Sequence, residues 1–305
     1  MRWHLPLAFL EQYGTVKDNL GSGGSGHIFS AIRRKDRKEV AVKILPRACV
    51  PPNAWVRDAQ YGRIPREVAV LKNVKHPNAI DFFDLFEEDD FFLIVMEVFG
   101  GSWRASTVRS SDPNPLPLAC RPARTRAMDL FELLEVRHLN EDEARIIFLQ
   151  VVHCIDHMIS THHIVHGDIK DENILIDWTG DEPLAKLIDF GGTIDVAMRR
   201  MCGQADFHGT LEFAPPEVIL GQAYDPEKAE TWSLGVLLYG MINKGHGPFA
   251  SPEATAFAGY RAIPCSASCS DLIASLLQKK QRYRATIKDI LRHPWLSATK
   301  PRCPV

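Results

Sequence analysis

The sequence predicts an α+β fold in two lobes: a small lobe on an antiparallel five-stranded sheet, residues 13–97, and a larger, mainly helical lobe, residues 98–296. Three observations carry this. Residues 13–44 and 80–96 break into short apolar runs of strand length, separated by glycine or acidic turns. Residues 141–160 place Ala144, Phe148, Val151 and Ile155 at helical spacing. The run from Trp232 to Met241 is apolar on every side, as a buried central helix is.

Residues 1–12 and 297–305 are expected to be terminal tails. Residues 13–44 read as two strands around a glycine loop, Leu20-Gly21-Ser22-Gly23-Gly24-Ser25-Gly26, and then a third strand, Val40-Ala41-Val42-Lys43-Ile44. Glycine lets backbone approach a phosphate closely and take positive φ, although a flexible linker has a similar composition. The alternating residues Ile28, Phe29 and Ala31 after the loop favour the phosphate reading. A lysine amid apolar residues is costly without a partner, unless it snorkels from an edge strand. Arg66 to Leu71 follow Pro65 on a helical pattern, with Glu67 in the first turn. Ile80 to Phe86 and Phe91 to Met96 complete the five strands.

Residues 102–127 interrupt the pattern with Pro113, Pro115, Pro117 and Pro122, five arginines and one acid, Asp112. Such a composition cannot bury a core. A disordered insertion is expected, with Gly101 otherwise leading directly into Met128-Asp129-Leu130-Phe131, a helix start. An ordinary surface loop accounts for it. The sharper alternative is a basic pseudosubstrate, because Arg121-Pro122-Ala123-Arg124-Thr125 runs up to Asp129 and Glu132. His153 and His157 sit one helical turn apart, but no Glu or Cys completes a zinc set, and a solvated helix face is expected.

The totals narrow the function. With 305 residues, 45% hydrophobic and 24% charged, the chain suits a globular protein. A formal net charge of -2 gives no basic field for nucleic acid. Seven cysteines without a Cys-x-x-Cys pair argue for a reducing compartment rather than a disulfide framework. The apolar run Leu5 to Leu10 is short and broken by Pro6, so no signal peptide is expected, nor any membrane span. A cytoplasmic or nuclear monomer is the expectation.

The richest stretch is His166-Gly167-Asp168-Ile169-Lys170-Asp171-Glu172-Asn173, followed by an apolar run and Asp189-Phe190-Gly191. Phosphoryl transfer from a metal-bound nucleotide needs such a set. One carboxylate takes the proton of the attacking hydroxyl, and the lysine neutralises the transferring group. An amide and a second carboxylate hold Mg²⁺. Turn residues also cluster by chance, but not over this many ordered positions. Downstream come Gly209-Thr210-Leu211-Glu212-Phe213-Ala214-Pro215-Pro216-Glu217, Arg284, and His293-Pro294-Trp295-Leu296.

Over residues 13–296, apart from the insertion, these motifs resemble the catalytic domain of eukaryotic Ser/Thr protein kinases. Within that family the chain is most similar to PAS kinase, with the Pim kinases next, on Trp55-Val56, Val95-Met96-Glu97, the Asp168–Asn173 run and Leu187 to Gly191. The resemblance implies the bilobal protein-kinase fold, ATP and Mg²⁺ as cofactors, and Ser/Thr acceptors on protein substrates. It implies that Asp168 orients the acceptor and takes its proton, that Lys170 contacts the γ-phosphate, and that Asn173 and Asp189 bind Mg²⁺. Lys43 and Glu67 would form an ion pair. Leu20, Gly21, Ser22, Gly23, Gly24, Ser25 and Gly26 would cover the phosphates, and Arg284 would pair with Glu217. Ile28, Ala41 and Leu175 would sandwich adenine, with Met96 gating the pocket and Glu97-Val98-Phe99 as its hinge. Asp129, Glu132 and Glu172 match acidic positions that favour arginine before the phosphoacceptor. A separate PAS sensor domain is not expected in this length.

Two departures stand out. Gly167 occupies the position of an arginine that binds an activation-segment phosphate, and no Ser, Thr or Tyr lies between Ile194 and His208. Both point to activation without phosphorylation there. Glu230 stands where an Asp braces the catalytic loop, so the longer side chain makes that brace uncertain. The alternative to an active enzyme is a pseudokinase, a nucleotide-binding scaffold. A small-molecule kinase is disfavoured by the peptide-binding segment Gly209 to Glu217.

Overall fold

In the computed structural model, which describes residues 5–14, 19–23, 26–100, 127–178, 180–197 and 201–297, the small lobe comes first. It runs α1 (Leu7–Gln12), β1 (Tyr13–Gly14), β2 (Asn19–Gly23), β3 (Gly26–Arg33), β4 (Glu39–Pro46), β5 (Trp55–Asp58), β6 (Gly62–Pro65), α2 (Arg66–Asn73), β7 (Phe82–Glu87) and β8 (Phe91–Glu97). Both β1 and β2 pair with β3, so the first strand of the expected five is split in two, and the sheet continues β3-β4-β8-β7. All the pairings are antiparallel. The expected insertion falls outside the described residues as far as Arg126, as does the end of the chain from residue 298.

Register decides what each face carries. Ile28 lies opposite Lys43, which lies opposite Ile94, and Ser30 opposite Ala41, which lies opposite Met96. Facing residues in a ladder share a side of the sheet, so Ile28, Ala41, Lys43 and Met96 all project toward the large lobe. The alternate residues Phe29, Val40, Val42, Ile44, Leu93 and Val95 project the other way.

That outer face overturns one expectation. Residues 1–12 are not simply a tail: Leu7–Gln12 is helical, and Phe9 is fully buried. Its ring stacks on Tyr13 at 5.1 Å and meets Phe29 and Phe86 edge-on at 6.4 and 5.4 Å. A sheet of β-branched and aromatic residues cannot leave both faces to water, and α1 covers the second.

The β5–β6 hairpin braces α2. Asp58 binds the Lys72 ammonium of α2 through both oxygens at 2.8 Å, and the Arg66 N–H donates to the Ala54 carbonyl at 2.7 Å. This fixes the helix that carries Glu67.

The large lobe holds β9 (Ala127–Asp129), α3 (Leu130–Val136), α4 (Glu141–His162), β10 (Ile164–Val165), β11 (Ile174–Asp177), β12 (Leu184–Leu187) and β13 (Ile194–Asp195). Then come α5 (Pro216–Ile219), α6 (Pro226–Ile242), α7 (Pro252–Phe257), α8 (Ala267–Leu276), α9 (Ile287–Leu291) and α10 (Pro294–Ser297). A reciprocal capping box starts α4, in which Asn140 and Glu143 each accept the other's backbone N–H at 2.9 Å. It ends where His163 turns left-handed at φ 55. Asp225 caps α6, Pro226 occupies its first turn, and Trp232 through Tyr239 are all buried, as the apolar run predicts.

Beneath residues 209–217, Arg284 donates to both carboxylate oxygens of Glu217, at 2.7 and 3.0 Å, with both side chains buried. The expected pair is therefore present. The guanidinium also donates to the carbonyls of Gln278 and Lys228 and lies 4.9 Å over the Trp232 ring. A buried pair survives only with its remaining hydrogen bonds satisfied in this way. The five described cysteines are all free, and no described helix is long and apolar enough to cross a membrane.

Phe9→Ala is expected to cost about 3–4 kcal/mol, the usual loss for emptying a core aromatic site. The denaturant midpoint measures it. A change below about 0.5 kcal/mol, the size of an ordinary surface substitution, would show that α1 is not part of the lobe.

Candidate active site

One cleft opens between the lobes. Its roof is the inner face of the sheet, with Leu20, Ile28, Ala41 and Met96, and its floor carries Leu175. Leu175 faces Asp129 across β11 and β9, which sets both at the same edge of the cleft. The sequence reading named these walls, but it missed Leu71, Ile80 and Ile188, which close the back. The apolar slot suits a flat heterocycle.

The hinge runs through Glu97, Val98 and Phe99, all lining the cleft. Glu97 binds Lys186 of β12 at 2.5 Å and accepts the Asp81 N–H at 3.2 Å, while the Lys186 ammonium lies 5.4 Å from the Phe99 ring. Lys186 thus pins the hinge to the large lobe. Nothing in its sequence context signals this.

At the polar end, Lys43 is only 5% exposed and ion-paired with Glu67, and its Nζ is 3.5 Å from Asp189 Oδ1. Burial pulls the Lys43 pKa down, but the Glu67 and Asp189 carboxylates outweigh it and leave the value raised. A buried ammonium therefore faces the cleft. Asp189 itself turns left-handed at φ 60 and accepts the Gly191 N–H at 3.3 Å. Phe190 drops into the core beside His166, their ring centroids 5.3 Å apart.

His166 is fully buried, which lowers its pKa and keeps it neutral. Its Nδ1 accepts the Asp168 N–H at 3.4 Å and its Nε2 faces the Ile188 carbonyl at 3.1 Å. Only the tautomer with the proton on Nε2 serves both. It ties the strand before Asp189 to the loop that carries Asp168.

Four groups fix the Asp168 carboxylate. The Thr210 N–H and hydroxyl both donate to Oδ1 at 2.8 Å. The Asn173 amide donates to Oδ2 at 3.0 Å and to the Asp168 carbonyl at 2.8 Å, and Lys170 Nζ lies 3.6 Å from Oδ2. Thr210 is 42 residues from Asp168 in sequence and was not among the expected site residues.

Glu230 resolves the second departure. Its Oε1 accepts the His166 N–H at 2.7 Å and its Oε2 the Gly167 N–H at 3.0 Å. The extra methylene does not break the brace. Burial pushes the Glu230 carboxyl up to about 7, against the two N–H bonds that pull it down.

The glycine loop is described in part. Gly21 and Gly23 pair with Ile28 and Gly26 in the β2–β3 ladder, while Gly24 and Ser25 lie outside the described residues. Gly26, at φ 135, has room for no Cβ, which would lie 2.0 Å from the Ile44 carbonyl oxygen. Of the three acidic residues expected to read substrate, Asp129 caps α3 through the Glu132 N–H and lines the cleft. Glu172 lines both the cleft and an adjoining groove with Phe131, Thr210 and Phe213, and binds Lys170 at 2.8 Å. Glu132 is exposed on α3 and lines neither. His153 is solvent-facing as expected. His157 instead stacks on His76 at 5.3 Å and meets His162 edge-on at 5.2 Å, and no cluster of three or more His, Cys, Asp and Glu side chains among the described residues is placed to hold a metal ion.

The Glu230 shift predicts a pH signature. A carboxyl whose folded pKa lies above its unfolded value stabilises the fold most below the unfolded pKa, and that contribution fades as pH rises toward 7. The urea midpoint of Glu230→Gln should change less between pH 4.5 and 7.5 than that of the parent chain. Equal changes in the two proteins would contradict the shift.

Comparison with known proteins agrees with this geometry. The family model described as protein kinase domain matches residues 15–296. A PAS domain-containing serine/threonine-protein kinase of Mus musculus is 33% identical over 288 residues, covering 94% of this chain and 18% of the relative. Serine/threonine-protein kinase PSK1 of Saccharomyces cerevisiae is 33% identical over 91% of this chain and 19% of its own length. Serine/threonine-protein kinase prk-2 of Caenorhabditis elegans is 33% identical over 92% of this chain and 57% of its own. The chain thus spans about a fifth of the length of the first two relatives. An apolar cleft with a buried lysine at one end, a carboxylate held by three hydrogen-bond donors beside it, and a domain match across nearly the whole chain place this protein in the protein kinase family.

Proposed function

We propose that the chain is an ATP-dependent Ser/Thr protein kinase, transferring the γ-phosphate of ATP to serine or threonine hydroxyls of protein substrates. The observation that carries this is that Lys43, Asn173 and Asp189 line the cleft while Asp168, bonded to Asn173, lines the adjoining cavity that shares Asp189 with it. The names of the relatives support Ser/Thr acceptors.

The donor set fits ATP with Mg²⁺. Asn173 spends its amide nitrogen on Asp168, so its carbonyl oxygen is turned away from that carboxylate. That oxygen and the Asp189 carboxylate are the hard donors Mg²⁺ takes. Mg²⁺ held there, when bound, offsets charge on the phosphates. The chain's own residues do the rest. Lys43 grips the α- and β-phosphates with an ammonium that burial cannot discharge. Asp168, held still by Thr210 and Asn173, orients the acceptor hydroxyl and takes its proton. Lys170, 3.6 Å from that carboxylate, neutralises charge on the group in transit.

Basic substrates are the favoured class. Glu172 faces the groove where a peptide would lie, and Asp129 sits at the cleft edge. Arginine before the acceptor would compete with Lys170 for Glu172. Activity should not depend on phosphorylation between Ile194 and His208, because that segment holds no hydroxyl and Gly167 offers no phosphate-binding side chain.

Asp168→Asn is expected to lower kcat about 10²–10⁴-fold while keeping the thermal shift given by Mg²⁺–ADP. Transfer by the variant at the parent rate would remove the catalytic assignment. A parent protein that binds nucleotide but transfers nothing would be the scaffold of the competing reading. A peptide with arginines before its serine should be phosphorylated about tenfold faster, in kcat/KM, than its alanine copy, the worth of one good charged contact. Equal rates would reject basic selectivity.

A further inference from the structure

Three glycines meet beside Asp168, one from each segment that builds the site. Gly167 lies in the catalytic loop at φ +79, and a Cβ there would lie 2.0 Å from the Gly192 carbonyl oxygen and 2.9 Å from its carbon. Gly192 follows the Asp189-Phe190-Gly191 turn, and a Cβ on it would lie 3.1 Å from Asp168 Cβ. Gly209 opens the peptide shelf, and its Cβ would lie 2.5 Å from the Gly167 carbonyl oxygen and 2.9 Å from the Phe207 ring. The Gly167–Gly192 and Gly209–Gly167 contacts meet backbone atoms, which no rotamer change can move aside.

The consequence reaches the reacting group directly. Thr210, next to Gly209, supplies both donors to Asp168 Oδ1. Gly167, next to Asp168, is itself anchored by Glu230. The separation of shelf and catalytic loop is therefore set by the closest approach two bare backbones allow. A side chain at Gly209 must push them apart, across the gap that the Thr210 bonds to Asp168 span, while a side chain at Gly167 must push the catalytic loop off Gly192.

We infer that Gly167, Gly192 and Gly209 are positioning residues: their direct backbone packing holds the peptide shelf in register with Asp168, in place of a phosphate-dependent clamp. This rests on the reading above that the chain is a kinase active without phosphate on residues 195–208. The lock is uncharged, so salt and phosphatase leave it intact, and it is always engaged.

The test compares Gly167→Ala and Gly209→Ala with Gly62→Ala. Gly62 also has positive φ, +74, but a Cβ there meets nothing within 4 Å, so it reports backbone strain without a clash. Steady-state kinetics with a serine peptide, and the thermal shift with Mg²⁺–ADP, are read for each. Gly167→Ala and Gly209→Ala should each lose at least about tenfold in kcat, with KM for ATP and the ADP shift within about twofold of the parent, the pattern of a lost transition-state interaction. Gly62→Ala should keep its kcat. Because both variants displace the backbone of Gly167, the double variant should lose less than the product of the two. Parent-like kcat in both single variants overturns the lock. Should neither variant fold, exchange of the Thr210 amide in the parent decides the matter: protection is expected, and exchange at the rate of an open loop overturns the lock, whether or not the protein transfers phosphate. Loss of parent activity on phosphatase treatment would count against the phosphorylation-independent reading instead.

Discussion

The site depends on one buried charge. Lys43 carries an ammonium into a space with almost no water, and such a group is stable only while carboxylates stay beside it. Those carboxylates come from different places. Glu67 comes from α2, which the β5–β6 hairpin clamps through Asp58 and Lys72. Asp189 comes from the large lobe, on a turn that Phe190 anchors in the core. Satisfying Lys43 therefore brings the two lobes together over the cleft. The fold pays the desolvation of one ammonium and obtains a preorganised cation where a triphosphate would bind.

Beneath the cleft the polar groups are arranged so that no charge is left free to wander. Neutral His166 bridges the Ile188 carbonyl and the Asp168 N–H, and Glu230 collects the two N–H groups of His166 and Gly167. The loop that carries Asp168 thus hangs from one imidazole and one carboxyl. Glutamate reaches as well as a shorter acid would be expected to, because both of its oxygens find an N–H. Burial makes that carboxyl easier to protonate than an ordinary glutamate, a cost the two hydrogen bonds offset only in part.

Much of this was legible in the sequence because the chemistry is local. Asp168, Lys170 and Asn173 lie within one short run, and Asp189 follows after a hairpin, so spacing alone marks them as a set. Lys43 was legible as a lysine out of place in an apolar strand, which demanded a carboxylate; the resemblance to protein kinases then singled out Glu67 on the next helix. Three features were not legible, each for a physical reason. Phe9 reads as one apolar residue among several near the N-terminus, and its aromatic box of Tyr13, Phe29 and Phe86 exists only once the sheet has formed. Lys186 looks like any solvent-facing strand lysine until β12 comes beside the hinge. Thr210 meets Asp168 through the path of the peptide shelf, which no periodicity records. Glu132 is exposed on α3 and lines neither the cleft nor the adjoining groove, so its expected contact with substrate is not built into either wall.

The most direct measurement of the central claim is steady-state phosphoryl transfer by Glu67→Gln. This substitution keeps the shape of the partner and removes its charge, which leaves the buried ammonium with Asp189 as its remaining carboxylate neighbour in the cleft. The account predicts that kcat/KM for ATP falls about 10²-fold or more, the scale of a lost charge-stabilising contact, while the variant remains folded. Turnover at the parent rate would mean that Lys43 needs no partner on α2, and the two lobes would not be joined in the way described.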